Sequence, residues 1–422
     1  MEDMIEALDK LCRFRSVAEE TGNTDAPYGE EVHKALMYVL GLCEGFGMRV
    51  KNCDNKIGWA EIGDGEEMVG ILCHLDVVPE GKGWNTEPFA ATVSEGKIFG
   101  RGVVDDKGPA IACIYALADI AKRRIRLNRR IRIIFGQIEE KGDWPDMEFY
   151  KQTEELPTFG FTPDGDFPAI YGEKGILNLK FSMPAEKSGI ISAKGGNAHN
   201  MVPDFADMVL NINGKETAIS EKGISAHGAM LEMGENAVTK AFRKAMEMGS
   251  DSAFVKFYNE KIGDNLYGEN IGAGFSDDKS GRLTFNVGLL SADEKECSIT
   301  VNMRCPVTYS GDEIEAAIKK ECEPYGIKIE RTEWTAPVYM DKDSGTVAKL
   351  TEVYREITGD LTEPKVIGGG TYARAMENIV AFGPCFPDME MTEHCKNEYI
   401  PLDKFLMLRE IYREAIIRLA MD

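Results

Sequence analysis

The sequence has no long apolar run. No stretch approaches the roughly 18 consecutive apolar residues of a membrane-spanning helix. Residues 1–14 predict an acidic amphipathic helix rather than a cationic signal followed by an apolar core. We therefore expect a cytoplasmic protein without a membrane partner.

Paired cysteines are also missing. No CxxC motif occurs, and the ten cysteines are scattered singly, at positions 12, 43, 53, 73, 113, 297, 305, 322, 385 and 395. This distribution is typical of reduced core thiols in a cytosolic protein, and it argues against a zinc site made of thiolates.

Positive charge is in deficit. The 49 Lys and Arg residues and the 71 Asp and Glu residues give a net charge of −22, which repels polyanions and makes nucleic acid a poor partner. The basic run at 122–130 alternates with apolar residues between a predicted helix and a predicted strand. It therefore predicts a solvated connection.

The chain is long enough for two domains, with 422 residues of which 43% are hydrophobic. From 69 to 183, apolar runs alternate with helical segments, which is typical of an α/β fold. Runs 69–73 and 131–135 predict buried strands, with a helix beginning at Pro109 between them. Polar residues follow both strands at the edge where open α/β sheets place ligand sites.

A second pattern begins near 177. Apolar and polar residues alternate over 177–183 and again over 297–305, which predicts half-solvated strands. Helical segments at 236–248 and 312–325 lie between and after these strands, the second begun by Asp312 and closed by Gly326. We therefore expect an α+β insertion over 177–336.

The chain then returns to the first domain. Residues 344–358, followed by Gly359, predict a helix, 380–383 a buried strand and 402–421 the closing helix. The predicted domains are therefore 1–176 plus 337–422, and 177–336.

Five histidines, at 33, 74, 199, 227 and 394, limit where an imidazole can act. His74 ends the first strand, and Asp76, on the same face of an extended segment, can orient its ring. A strand-end histidine satisfied by a neighbouring acid is an equally good interpretation. Asp105 could likewise be a helix cap.

Two carboxylates, Glu139 and Glu140, follow the second strand, where like charges are costly unless a cation or a shared proton relieves them. Solvated loop acids are the alternative. Asp164 and His394 supply two more donors. In sum, two histidines, two terminal carboxylates and one bridging carboxylate complete two zinc sites with a shared water.

The motifs in order resemble one known family. HLDVVP, GRGVVDDKGP, EE, FTPDGDFP, GEKG, GGGTYAR and AFGP…H…NEYIPLD are similar to PepV-type (Xaa-His, carnosinase-like) dipeptidases of the aminoacylase/carboxypeptidase-G superfamily of di-zinc metallopeptidases. The resemblance spans nearly the whole chain. It implies an α/β catalytic domain, with a mixed sheet flanked by helices, that is interrupted by an α+β lid domain.

The resemblance also implies roles for the donor residues. His74 and Asp164 match the terminal ligands of one zinc, His394 and Glu140 those of the other, and Asp105 the bridging carboxylate. Glu139 matches the general base that takes a proton from the attacking water, and Asp76 the residue that orients His74. The family further implies a cis peptide after the bridging residue, at Asp105–Asp106.

Substrate contacts are implied in the lid and in a glycine turn. His227 in SAHGA resembles the lid histidine that polarises the scissile carbonyl, although the proline usual downstream is absent; His199 is its rival. Arg304, on the polar face of a predicted strand, resembles the clamp for a substrate carboxylate, with a surface salt bridge as the alternative. Other contacts are implied for Asn200, Gly370 and Thr371.

The expected activity is hydrolysis of the peptide bond of dipeptides with two Zn²⁺ ions, or Mn²⁺ or Co²⁺ in their place. A deacylase of N-acyl amino acids or of succinyl-diaminopimelate is the first alternative, because Arg304 would serve any substrate that ends in a carboxylate. A binding protein without catalysis is the second. The resemblance allows a monomer or a homodimer formed through the lid.

Overall fold

The chain divides into two compact units in the computed structural model, which describes residues 2–421. Unit 1 is Met1–Tyr171, Met340–Lys365 and Gly370–Asp422, and unit 2 is Gly172–Tyr339 and Val366–Gly369. The main segment of unit 2 thus runs from 172 to 339. The sequence analysis predicted that this insertion runs from 177 to 336. Residue 1 of the predicted first helix lies outside the described residues.

The first part of unit 1 alternates strands and helices and ends in a strand that runs into unit 2. Its elements are α1 (Glu2–Cys12), α2 (Glu30–Gly45), β1 (Arg49–Cys53), β2 (Ile57–Ile62), β3 (Met68–His74), β4 (Thr92–Ser94), β5 (Lys97–Phe99), α3 (Lys107–Lys122), β6 (Arg130–Gly136), α4 (Pro145–Thr153), β7 (Phe159–Thr162) and β8 (Ile170–Glu173).

Unit 2 consists mainly of antiparallel strands with helices between them. Its elements are β9 (Gly175–Pro184), α5 (Ala185–Ser188), β10 (Ile190–Gly195), β11 (Phe205–Ile212), β12 (Lys215–Lys222), α6 (Ala237–Glu247), α7 (Ala253–Lys261), β13 (Ser276–Asp277), β14 (Gly281–Arg282), β15 (Thr284–Ala292), β16 (Glu296–Cys305), α8 (Gly311–Cys322), β17 (Lys328–Thr335) and β18 (Val338–Tyr339).

The last part of the chain returns to unit 1, apart from Val366–Gly369, which belongs to unit 2. Its elements are α9 (Gly345–Thr358), β19 (Lys365–Ile367), β20 (Ile379–Ala381), β21 (Tyr399–Pro401) and α10 (Leu402–Met421). Among residues 2–421, no helix is both long and apolar enough to cross a membrane.

A mixed sheet forms the centre of unit 1, as the sequence predicted. Its strands follow the order β1-β2-β6-β3-β7-β20-β8, in which β6, β3, β7 and β20 are parallel neighbours. Every residue of β3 is buried because helices cover the sheet. The predicted strands 69–73 and 131–135 fall within β3 and β6, and the predicted closing helix is α10.

Seven antiparallel strands form the main sheet of unit 2, in the order β12-β11-β10-β15-β16-β9-β17. The apolar residues of β9 and β16 pack with those of α6, α7 and α8 in one core. This sheet and its helices match the α+β character expected from the sequence.

The expectation that β9 and β16 are half-solvated was wrong. On their polar faces Asn178 is 3% exposed and Asn302 is 0% exposed. The two side chains bond each other, because Asn302 Nδ2 donates to Asn178 Oδ1 at 2.7 Å. The alternation therefore marks a polar face, but most of this face is buried, with Lys180 and Thr300 partly exposed.

The predicted start of helix α8 was also wrong. Ser310, not Asp312, caps it, since the Ser310 hydroxyl accepts from the Glu313 backbone N–H and the Glu313 side chain accepts from the Ser310 N–H. The α-helix ends at Cys322, and a single 3-10 turn continues to the left-handed Gly326.

The cysteines are all free thiols. Eight are buried, but Cys385 is half-buried and Cys395 is exposed, so the prediction of core thiols fails for these two. Both lie in the loop that carries His394, where the chain has no regular secondary structure.

Candidate metal centre

Three neighbouring parallel strands bring polar residues to one edge of the sheet of unit 1. His74 is the last residue of β3, Glu139 begins a 3-10 turn after β6, and Asp164 follows β7 by two residues. Because β6, β3 and β7 are parallel and adjacent, their carboxyl ends meet at the same edge.

Asp105 lies between two histidines. It is in the loop before α3, and its peptide bond to Asp106 is cis, as expected. Its Oδ1 is 2.9 Å from His74 Nε2, and its Oδ2 is 3.0 Å from His394 Nε2. One carboxylate thus faces two imidazoles that are far apart in the sequence.

The five predicted ligand residues form two clusters that share Asp105. Within each cluster the donor atoms lie within 4.8 Å of one another. His394 Nε2 is 3.1 Å from Glu140 Oε2, and His74 Nε2 is 3.9 Å from Asp164 Oδ2. The His74 side chain is fully buried, whereas that of His394 is 56% exposed. The clusters are His74, Asp105 and Asp164, and Asp105, Glu140 and His394.

The electrostatics of this edge favour cations. Burial raises the pKa of Glu139 well above its usual value, the imidazole of His74 opposes this, and the carboxylates of Asp164 and Glu140 add to it. Hydrogen bonds that the His394 ring donates to the carboxylates of Asp105 and then Glu140 raise the pKa of His394 to about 11. Closely spaced, poorly solvated carboxylates with two imidazoles are a donor set that fits divalent metal ions.

Asp76 holds the turn that carries the two glutamates. Its Oδ1 accepts from the Glu139 backbone N–H and its Oδ2 from the Glu140 N–H, each at 3.0 Å. His74 Nδ1 lies 3.0 Å from the Asp76 carbonyl oxygen and 3.4 Å from its carboxylate. Asp76 therefore contacts the His74 ring, and it also positions Glu139 and Glu140.

A buried ion pair that the sequence analysis did not single out supports the Asp105 loop. Arg101 and Glu398 are 1% and 0% exposed, and Arg101 Nη1 donates to Glu398 Oε2 at 2.7 Å. Glu398 also accepts from the backbone N–H groups of Gly102, Val104 and Asp105, at 3.0, 2.9 and 3.3 Å. Both residues lie in motifs quoted above, GRGVVDDKGP and NEYIPLD, but nothing in the sequence indicated that they pair.

Tyr372 supports His74 from another side. Its ring meets the imidazole edge-on at a centroid distance of 6.0 Å, and its hydroxyl donates to Asp146 Oδ2 at 2.7 Å. Asp146 also accepts from the backbone N–H of Gln137 at 2.7 Å. The side chains of Tyr372, Asp146 and Gln137 are buried. Tyr372 belongs to the GGGTYAR motif, but its role could not be read from the sequence.

Two predicted lid residues of unit 2 interact. Burial and then the positive charge of Arg304 lower the pKa of His227 below its usual value. Arg304 is 5% exposed and its Nη1 donates to the Gly368 carbonyl at 2.8 Å, so the alternative of a surface salt bridge does not describe it. His227 Nδ1 accepts from the Ala229 N–H at 3.2 Å.

The other predicted contacts are divided between the units. In unit 2 the Asn200 carbonyl accepts from the Gly228 N–H at 2.7 Å, and the half-exposed His199 lies 4.0 Å from the Glu333 carboxylate. In unit 1 the Thr371 side chain caps the 3-10 turn Tyr372–Ala375 by accepting from the Ala373 N–H. Gly370 lies against the Arg374 guanidinium.

The chain is similar to known proteins in sequence and in fold. Residues 70–418 match the model of "Peptidase family M20/M25/M40". The protein "Putative dipeptidase SH1171" of Staphylococcus haemolyticus is 34% identical over 457 residues, covering 99% of this chain and 97% of that one.

Solved structures share the fold at lower sequence identity. Human carnosine dipeptidase 1 has a TM-score of 0.63 at 14% identity, covering 99% of this chain and 96% of that one. An M20 family metallo-carboxypeptidase of Sulfolobus solfataricus has a TM-score of 0.61 at 17% identity, covering 99% of both chains.

Proposed function

Because the chain belongs to peptidase family M20/M25/M40, we propose that it is a metal-dependent dipeptidase. The observation that carries this proposal is the pair of donor clusters that share Asp105. The dipeptidase-named relative, which matches nearly the full length of the chain, supports the substrate class.

Two metal ions are assigned to these clusters. His74, Asp105 and Asp164 would hold one ion, and Asp105, Glu140 and His394 the other. Imidazole nitrogen and carboxylate oxygen are donors that Zn²⁺ accepts, with Mn²⁺ and Co²⁺ as alternatives. When bound, such a pair supplies Lewis acidity toward water and toward the substrate carbonyl.

Glu139 is the proposed general base and acid. It belongs to neither donor cluster, but it begins the turn after β6 that also carries Glu140, and its backbone N–H bonds Asp76. In the proposed reaction its carboxylate takes a proton from the attacking water and then delivers it to the nitrogen of the leaving amine. Asp76 holds Glu139 in place through the backbone.

His227 is the proposed donor to the carbonyl oxygen of the substrate. Its lowered pKa favours the neutral imidazole, and its Nδ1 accepts a hydrogen bond from Ala229. A neutral ring that accepts at Nδ1 carries its proton on Nε2. The Nε2–H group can therefore donate to the oxygen on which negative charge develops.

Arg304 is the proposed clamp for the free carboxylate of the dipeptide. Its planar guanidinium suits a carboxylate, and its pairing with the Gly368 carbonyl fixes its orientation. We propose further substrate contacts by Asn200, Gly370 and Thr371. Asn200 is next in the sequence to His199, the alternative lid histidine.

The test combines a substrate panel with metal exchange. The purified chain is stripped with a chelator, reloaded with Zn²⁺, Mn²⁺ or Co²⁺, and assayed on dipeptides and on N-acetyl and N-succinyl amino acids. We expect dipeptide hydrolysis that is lost on stripping and restored on reloading. Exclusive deacylation would favour the deacylase alternative, and full activity without metal would overturn the proposal.

We also propose a cytoplasmic location. All ten cysteines are free thiols, including the exposed Cys395. Unpaired cysteines are usual in the reducing cytosol, whereas oxidising compartments favour disulfides. Fractionation of the producing cell with an antibody against the chain tests this, and recovery from an extracytoplasmic fraction would contradict it.

A further inference from the structure

Two loops of unit 2 carry the proposed lid contacts. The Asn200 loop (residues 196–204) joins β10 to β11, and the His227 loop (residues 223–236) joins β12 to α6. Loops of this kind are mobile unless other groups hold them. The groups that fix these loops therefore decide where Asn200 and His227 lie.

One buried side chain holds the Asn200 loop. Asn286 lies in the middle of the sheet, on β15, and is 1% exposed. Its Nδ2 donates to the His199 carbonyl at 3.0 Å and to the Met201 carbonyl at 2.9 Å. An amide NH₂ group has two hydrogens, and here they bond the carbonyls on both sides of residue 200.

The backbone beneath the loop confirms a close approach. A Cβ atom on Gly288, two residues further along β15, would lie 2.0 Å from the His199 carbonyl oxygen. Only glycine leaves room for the loop at this point. The His199 carbonyl therefore packs against the backbone of β15 at Gly288, and it also accepts the hydrogen bond from Asn286.

The Asn200 loop in turn holds the His227 loop. The Gly228 N–H donates to the Asn200 carbonyl at 2.7 Å, and Met201 pairs with His227 in an isolated antiparallel bridge. Asn286 thus fixes residues 199 and 201, and residues 200 and 201 fix the backbone on either side of the His227–Gly228 bond.

We propose that Asn286 is a positioning residue, whose side-chain amide holds Asn200 and His227 in a fixed geometry for substrate binding. This inference rests on the proposed function for the roles of Asn200 and His227. The hydrogen bonds from Asn286 to the Asn200 loop lie within unit 2. They can be tested by a measurement that does not depend on catalytic turnover.

The structure offers a matched control. Asn259, on α7 in unit 2, also uses its Nδ2 to bond two carbonyls, those of Phe242 and Val255, at 3.0 and 2.9 Å. Asn286→Leu and Asn259→Leu therefore each remove an amide that bonds two carbonyls in unit 2, and each keeps a side chain of similar shape. Only the first removes support from the Asn200 loop. Asn286→Ala serves as a second variant if the leucine does not fit.

The first measurement is amide hydrogen exchange in the full-length chain. In Asn286→Leu we expect the hydrogen-bonded amides of Met201, Val202 and Gly228 to exchange at least about 10-fold faster, because their opening becomes easier. Asn259→Leu should leave these amides unchanged. Unchanged exchange at these positions in both Asn286 variants would overturn the proposal.

The second measurement is a double-mutant cycle on kcat/KM with Asn200→Ala. A misplaced contact residue typically costs on the order of 10- to 100-fold in rate, and we expect this loss from Asn286→Leu. If Asn286 acts through Asn200, the double variant loses much less than the product of the two single losses. If the loss of kcat/KM in the double variant equals the product of the two single losses, Asn286 does not act through Asn200.

The two proposals can fail separately. Metal content should be the same in all variants, because Asn286 is in unit 2 and the donor clusters are in unit 1. If the wild-type chain hydrolyses no dipeptide, the proposed function fails, and the exchange result alone then decides whether Asn286 holds the two loops.

Discussion

Arg101 and Glu398 form an ion pair in which neither side chain is open to solvent, with Nη1 and Oε2 2.7 Å apart. Glu398 also accepts the backbone N–H groups of the loop that leads to Asp105. Glu398 therefore links Arg101 to the loop that carries Asp105, the carboxylate common to both clusters.

Replacing Glu398 with Gln should destabilise the protein and weaken metal binding. The change leaves Arg101 buried without a counter-charge, which typically costs about 3–5 kcal/mol. Urea unfolding and metal retention after dialysis measure the two effects. Glu356→Gln is the control, since its pair with Arg418 is exposed and worth at most about 1 kcal/mol. Equal stabilities of the two variants would contradict the role given to Glu398.

Replacing Asp76 with Asn should lower metal affinity about 10- to 100-fold, as is typical for groups that orient ligands. Asp76 accepts the Glu139 and Glu140 N–H groups on separate oxygens, and Asn would put an NH₂ donor opposite one of these N–H groups. Competition with a fluorescent zinc chelator measures the affinity. Asp143→Asn, at an exposed position just after the same turn, is the control. An Asp76 variant with wild-type affinity would show that the turn needs no carboxylate.

Replacing Arg304 with Ala should raise the pKa of His227 toward its usual value. The guanidinium disfavours the protonated imidazole, so its removal makes protonation easier, while burial still holds the pKa down. His227 should then be protonated over a higher pH range than in the wild type, as followed by NMR of the imidazole nitrogens. Arg282→Ala, at an exposed site in unit 2, should leave the titration unchanged. If the pKa of His227 is the same in Arg304→Ala as in the wild type, the charge of Arg304 does not lower it.

Local patterns predicted the main elements because the forces that make them are local. The apolar run that ends at His74 forms a strand, and the helix 344–358 begins after Ser344 and ends before Gly359 as its end signals indicate. The two strands that lead to His74 and Glu139 are parallel neighbours, so their position along the chain also indicated that these residues lie at one edge.

Long-range pairing could not be predicted in this way. Glu398 contacts Arg101 across almost 300 positions, and Asn286 contacts His199 across 87. Neither residue type nor local spacing encodes such a partner. The polar faces of β9 and β16 show the same limit, since alternation identified Asn178 and Asn302 as one face but not that these two side chains are buried.

The count of metal ions bound per chain tests the central claim most directly. Elemental analysis of the reloaded, dialysed protein should give two ions for the wild type, about one for His394→Ala and fewer than one for Asp105→Ala, because Asp105 is common to both clusters. A wild-type chain that retains fewer than two ions, or an Asp105→Ala variant that still holds two, would contradict it.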